Sequence, residues 1–301
     1  MITRNAASQQ PFINQLHTLN PRAEIISLGG QVSLLAEVKR LCDDFKRKET
    51  SLDLLFLSGG YLPFGGRTGM FHSYDFPSRS CRLIIVTETS EGNESGLSLA
   101  HFSRTAFILH LLPLLKASST NARVISVFAA GFESTDIDVD DLLLTKPGAF
   151  GISRFNKTSA NMVTLSMENI AQDNPEVVFI HHHPGVVKTD IMKQGWGKKW
   201  WGPVLVSVVK PLIGFIALSL KECGERSLFV ISSAKFGGKG VVLGEGVEAA
   251  VATREMDKGG LFLVDHKMER PGNAAVLREL HEKGVDVVVW KKTMEVLGPF
   301  M

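Results

Sequence analysis

Apolar positions along the chain change period from segment to segment, and those changes mark the elements. Residues 24–28, EIISL, predict a short strand. SLLAEVKRLCDDFKR follows, with Leu34, Leu35, Val38, Leu41 and Phe45 at helical spacing. LDLLFLSGG is an unbroken apolar run stopped by two glycines, the pattern of a parallel strand buried on both faces. Residues 97–116 predict a long apolar helix ending in LLPLLKAS, and ARVISVFAAG the next buried strand. Residues 157–172 read as a helix, and VVFIHHHPG as a strand that stops at Pro184-Gly185. A helix near 222–233 and the strand GLFLVD at 260–265 complete the series. Strands alternating with helices predict an α/β fold with a doubly wound parallel sheet. No repeat or linker interrupts residues 1–301, so a single domain is expected. Two stretches break the alternation: an insert at 61–86, and a strongly apolar segment at 193–220 with a basic, Trp-rich front, WGKKWW.

Composition narrows the class. With 44% hydrophobic residues the chain can bury a substantial core, which excludes intrinsic disorder. A net charge of +2, from 33 basic and 31 acidic residues, carries no nucleic-acid signature. Three scattered cysteines, Cys42, Cys81 and Cys223, form neither a disulfide framework nor a zinc box, which points to a reducing, cytoplasmic setting. The start, MITRNAASQQPF, is too polar for a signal peptide. Only two tyrosines occur, Tyr61 and Tyr74.

Several motifs together resemble the short-chain dehydrogenase/reductase superfamily. LLFLSGG resembles its fourth strand, TSEGNESGLSLA its Thr-x-Asp-Gly-x-Glu stretch through Thr89, Gly92 and Glu94, and LLPLL the end of the following helix. RVISVFAAG resembles the strand that delivers the catalytic Ser, HPGVVKTD the Pro-Gly-x-Val-x-Thr motif beside the nicotinamide, and GGLFLVD the last strand. ETSEG, VTLSMENIA, FIHHHPG and KECGERSLF look like a fungal specialised-metabolism branch. The resemblance covers roughly residues 20–290 and implies a Rossmann-like sheet.

The departures matter as much. The glycine-rich turn that brings the backbone to a cofactor pyrophosphate has no counterpart. The expectation is an N-terminally truncated Rossmann-like sheet with the first two strands absent, in which strand 24–28 pairs directly with 52–60 or leaves an edge bare. The adenine-side acidic position falls on Gln31. The family's Asn falls on Ala100 and its Ser on Ala129, or on Phe128 next door. Its Tyr falls on Ser153 if Lys157 is the motif Lys, or on Arg154 with Thr158 in the other register; neither is a phenol. The expectation is therefore a degenerate redox site.

Among the remaining candidates, His183 precedes Pro184-Gly185 and titrates near neutral pH, so it is the first choice for proton transfer. Lys157 is second, as a positive charge beside a developing anion, and Ser153 stands at the Tyr position. Ser58, Gly59 and Gly60, with Pro184, Gly185 and Thr189, are the candidate cofactor contacts that the resemblance implies. Adjacent strand side chains alternate faces, so His181, His182 and His183 cannot ligate one metal from a regular strand. The acid-rich run with Glu133, Asp136, Asp138, Asp140 and Asp141 lacks the Gly and terminal Glu of a calcium loop and reads as a solvated connection. His101 reads as a half-exposed helix residue. The 193–220 segment, with Lys210-Pro211 mid-run, reads as a substrate lid or an interfacial anchor rather than a membrane span.

These residues lead to a tailoring protein acting on a small apolar molecule, with no cofactor expected. A non-redox cyclase, isomerase or dehydratase, or a silent homologue, is the main expectation; an NAD(P)-dependent reductase of ketones or dehydrogenase of alcohols is the alternative. Candidate partners are the small apolar substrate, a membrane surface met through 193–220 and a second copy of the chain, with no nucleic acid. The missing start and the insert also fit gene-model errors, since joining YLPFGG to ETSEG would give a loop of family length.

Overall fold

The computed structural model describes residues 1–60, 88–187, 217–237, 245–254 and 259–301. The chain begins with β1 (Ile2–Thr3), α1 (Gln10–Leu19), β2 (Leu28–Gly29), α2 (Leu35–Lys46) and β3 (Leu54–Leu57). Helix α3 (Ser95–Lys116) follows, carrying a π-turn at Ser98–Phe102. Then come β4 (Arg123–Val127), α4 (Ile152–Gln172), β5 (Val178–His182) and α5 (Leu220–Ser232). The last elements are β6 (Gly260–Val264), α6 (Ala274–Glu282) and α7 (Val285–Leu297).

Four strands pair in parallel in the order β3-β4-β5-β6. Every residue of β5 and β6 is buried. Burial on both faces explains why these strands are apolar throughout rather than alternating. Phe179, Leu261 and Leu263 face one core with α2, α3, α4, α6 and α7. Val178, Ile180, Phe262 and Val264 face the other, closed by Val230 of α5 and by Phe236. The Rossmann-like α/β expectation holds.

The N-terminal part differs from expectation. The strand foreseen at 24–28 shrinks to Leu28–Gly29, and a strand that periodicity did not reveal, Ile2–Thr3, pairs with it in parallel. Two-residue strands are too short to leave a periodic signal. The segment pairs with β1, not with β3, so β3 is the edge of the four-stranded sheet among the described residues. Gln31 donates to the Ser33 hydroxyl two residues on.

The TSEGNE motif proves structural. Glu91 reaches back to accept from the amides of Leu35 (2.7 Å) and Ala36 (2.9 Å), capping α2 from 55 residues away. Glu94 caps the start of α3 through the Leu97 amide, and Gly92 sits at φ 79°, a conformation glycine adopts freely. Helix α3 is long and apolar enough to cross a membrane, yet it lies mostly inside the protein, against α2.

The C-terminal hairpin α6–α7 packs on α4. Glu168 of α4, 2% exposed, meets His281 Nε2 at 2.9 Å, and Asp286 meets His281 Nδ1 at 3.2 Å. Arg254 joins through Asp286 at 3.1 Å. Glu168 is the main cause that holds the His281 pKa above its ordinary value.

Two outcomes follow. Glu91→Ala should lower unfolding free energy by about 1 kcal/mol in denaturant titrations, the usual cost of an emptied helix cap. The His281 contribution is fully present below the unfolded pKa, about 6.5, and is lost as pH rises through the raised folded value. The gap in thermal midpoint between the native protein and His281→Gln should therefore be widest near about pH 6 and narrow towards about pH 9. A gap that widens with pH would contradict this linkage.

Candidate functional site

Parallel α/β sheets bind ligands beyond the carboxyl ends of their strands. Here β3 opens into Ser58-Gly59-Gly60, β4 into Phe128–Phe132, β5 into His183-Pro184-Gly185 and β6 into Asp265-His266. Ser58, Gly59 and Gly60 are exposed, and a Cβ on Gly59 would meet nothing within 4 Å. The glycines leave open backbone at this edge without being required by conformation. Gly185 is different: its φ is 82°, and a Cβ there would lie 2.9 Å from the His266 Cβ. Only glycine fits that turn. Phe132 and Val186, 45% and 47% exposed, make the rim apolar. Thr189, Tyr61, Tyr74, the 61–86 insert and residues 193–216 of the apolar segment lie outside the described residues.

The three consecutive histidines have different surroundings. His181 faces α4, where its Nδ1 lies 2.8 Å from Thr164 Oγ1, and its Nε2 accepts from the Ala129 amide at 3.1 Å. Burial, with Arg104 nearby, drives its pKa well below the ordinary value. Glu133 Oε1 lies 3.6 Å from Nδ1, but with a neutral imidazole this is no ion pair. His182 is buried on the opposite face, bonded to the Val264 carbonyl, and burial lowers its pKa to about 4. His183 is partly buried at the rim. Its Nδ1 bonds the Phe128 carbonyl at 3.1 Å, and its ring meets Phe132 edge-on at 5.0 Å. Burial lowers its pKa, and the Phe128 carbonyl opposes that. No group of three or more metal-ligating side chains occurs among the described residues.

Lys157 and Ser153 both lie on the first two turns of α4. Lys157 Nζ pairs with Asp136 at 2.7 Å, and Ser153 is exposed. Neither is hydrogen-bonded to His183 among the described residues. Ala100 and Ala129 are buried.

Two expectations are corrected. His101 is fully buried: the π-turn carries it inward to Thr293 Oγ1 at 2.8 Å, and burial lowers its pKa to about 3. The acid-rich connection is not wholly solvated. Glu133 and Asp141 are 6% and 4% exposed. Asp141 accepts from the amides of Thr145 and Lys146. Glu133 accepts from Gly131 N, Asn273 Nδ2 and Thr164 Oγ1 at 2.7, 2.5 and 2.5 Å, and burial raises its pKa.

Arg104 also escaped sequence reasoning. Its guanidinium is buried at the ends of β3 and β4, 5.5 Å above the Phe128 ring. It donates to the carbonyls of Leu99, Leu57 and Gly59 and to Ser126 Oγ. Burial lowers its pKa to about 10, which leaves it a cation at neutral pH. One signal existed: an arginine within an otherwise apolar helix, where burial without partners is costly.

No family model matches the chain. Among curated proteins it is similar to oxidoreductase AN1596 of Emericella nidulans, 32% identical over 307 residues, which span 99% of this chain and 84% of that protein. Oxidoreductase lepF of Aspergillus flavus is 34% identical over 76% of this chain and 65% of its own length. Short-chain dehydrogenase/reductase SAT2 of Stachybotrys chartarum is 26% identical over 80% of this chain and 65% of its own. Among solved structures, the Pseudomonas aeruginosa RhlG/NADP complex superposes with a TM-score of 0.52 at 16% identity, covering 89% of this chain and 84% of that one. Levodione reductase gives 0.52 at 14%, over 79% and 82%. These likenesses establish the fold.

Arg104→Met would leave three carbonyl oxygens without their donor. It should cost at least about 2 kcal/mol in chemical denaturation, more than an ordinary surface arginine; a cost below about 0.5 kcal/mol would mean the guanidinium is dispensable.

Proposed function

The chain belongs to a divergent fungal branch of the short-chain dehydrogenase/reductase-like oxidoreductases, and from this we propose an NAD(P)-dependent oxidoreductase that interconverts a carbonyl and an alcohol on a small apolar molecule. The carrying observation is similarity to named oxidoreductases along nearly the whole chain. It favours a cofactor over the cofactor-free expectation, and RhlG is a relative in fold whose structure carries NADP.

The residues fit one half of such a cofactor. Exposed Gly59, with open space at its Cβ position, leaves room at the end of β3, and Gly185 keeps a side chain out of the turn after β5. Ser58, Gly59, Gly60, Pro184 and Gly185 would hold the nicotinamide end, with Thr189 the further candidate. Among the described residues, the turn after β1 is Arg4-Asn5-Ala6, with no glycine to cradle a pyrophosphate. When bound, the nicotinamide supplies or accepts the hydride.

His183 would give or take the proton at the substrate oxygen. Because a carbonyl can only accept, Nδ1 carries the hydrogen and Nε2 keeps its lone pair. Apolar Phe132 and Val186 favour an apolar substrate. Buried Ala100 and Ala129 at two family positions, with no tyrosine after Tyr74, favour the second reading, a non-redox isomerase, cyclase or dehydratase using the same His183.

Calorimetry with NADPH and NADH separates the two. Micromolar binding, about −8 kcal/mol, with NADPH consumption in the presence of apolar ketones, is expected. No binding of either cofactor at millimolar concentration would sink the redox reading. His183→Ala should cost about 10²-fold or more in turnover under either reading.

A further inference from the structure

The peptide group joining Phe128 to Ala129 sits between two histidines. Its carbonyl meets His183 Nδ1 at 3.1 Å, and its amide meets His181 Nε2 at 3.1 Å. A backbone carbonyl can only accept and a backbone N–H can only donate, so both imidazoles have their proton placed for them. His183 carries hydrogen on Nδ1. His181, accepting at Nε2, carries its own on Nδ1 and donates to Thr164 Oγ1, 2.8 Å away. The Thr164 hydroxyl then donates to Glu133 Oε1 at 2.5 Å. Every hydrogen bond from His183 onward points the same way and ends on a buried carboxylate. Gly131 N and Asn273 Nδ2 donate to its other oxygen, so each of its partners stabilises negative charge.

We propose that Glu133, Thr164 and His181 form a positioning relay that, through the Phe128–Ala129 peptide, holds His183 in one tautomer and raises the proton affinity of its Nε2. Aligned hydrogen bonds polarise one another, most strongly where water is excluded. Thr164 and His181 are fully buried and Glu133 nearly so. A proton arriving at Nε2 makes His183 a cation, and the aligned dipoles pass part of that charge towards the Glu133 carboxylate. No relay member changes protonation: the proton moves only between Nε2 and the substrate oxygen. The relay acts alongside the other groups around His183, with some and against others. Burial and His266 disfavour the charged ring, while Asp265 favours it. His181 and His182 precede it at the end of β5, Arg104 from α3 acts on His181, and Arg226 from α5 acts on His182.

The relay deepens the proton-transfer role proposed for His183 and rests on it, but it can be measured without substrate. Nitrogen-15 and proton NMR of the full chain reports the His183 tautomer and its titration. The native protein should show the Nδ1–H form. In Glu133→Gln and in the near-isosteric Thr164→Val, the His183 pKa should fall by about half a unit to one unit. Thr164→Ser keeps the hydroxyl and should titrate like the native protein. Circular dichroism and thermal unfolding identify variants that remain folded, and Thr164→Val against Thr164→Ser keeps the test intact if Glu133→Gln does not fold. An Nε2–H tautomer in the native protein, or an unmoved titration in folded Thr164→Val, overturns the relay. Turnover that survives His183→Ala while the Thr164→Val titration still moves supports the relay and removes the proton-transfer role.

Discussion

The parallel pairing of β4 with β5, buried on both faces, is the constraint from which the site derives. A strand covered on both sides has no solvent for its polar groups, so each must find a partner inside. Phe179 and Ile180 meet this by being apolar. His181 and His182, the last two residues of β5, cannot. They are neutral because burial disfavours their charged forms, and they turn to Thr164 on one face and the Val264 carbonyl on the other. Beyond them the sheet ends and the chain reaches the rim at His183. Within six residues the chain thus runs from hydrophobic core through a buried polar network to a partly buried histidine at the rim.

Charge is arranged around that edge with the same economy. Arg104 places a cation at the ends of β3 and β4, met among the described residues by carbonyl dipoles, Ser126 Oγ and the face of Phe128. Glu133, in the connection after β4, places a buried carboxyl group held by three donors. The two are not paired, so neither cancels the other's field.

Much of the fold was legible as period. The long elements, α2, α3, α4 and β3 to β6, have enough residues for apolar spacing to declare itself. The short pair Ile2–Thr3 and Leu28–Gly29 did not, because two residues carry no period. The TSEGNE motif was legible as a resemblance but not as a pair of helix caps, since Glu91 acts on amides 56 and 55 residues earlier. The place of His183 at the end of β5, before Pro184-Gly185, was legible. Its hydrogen-bond partner was not, because that is the Phe128 carbonyl just past β4.

Chain chemistry alone therefore determined an α/β architecture with buried parallel strands, the family it resembles, and the lack of any tyrosine after Tyr74. Tertiary structure alone decided which two of five clustered acids are buried, which surroundings each of three consecutive histidines takes, and that Thr164 bridges a carboxyl group to an imidazole. The physical reason is range. Periodicity and propensity act between residues a few positions apart, whereas a hydrogen-bond partner is chosen by the packing that brings distant segments together once water is excluded.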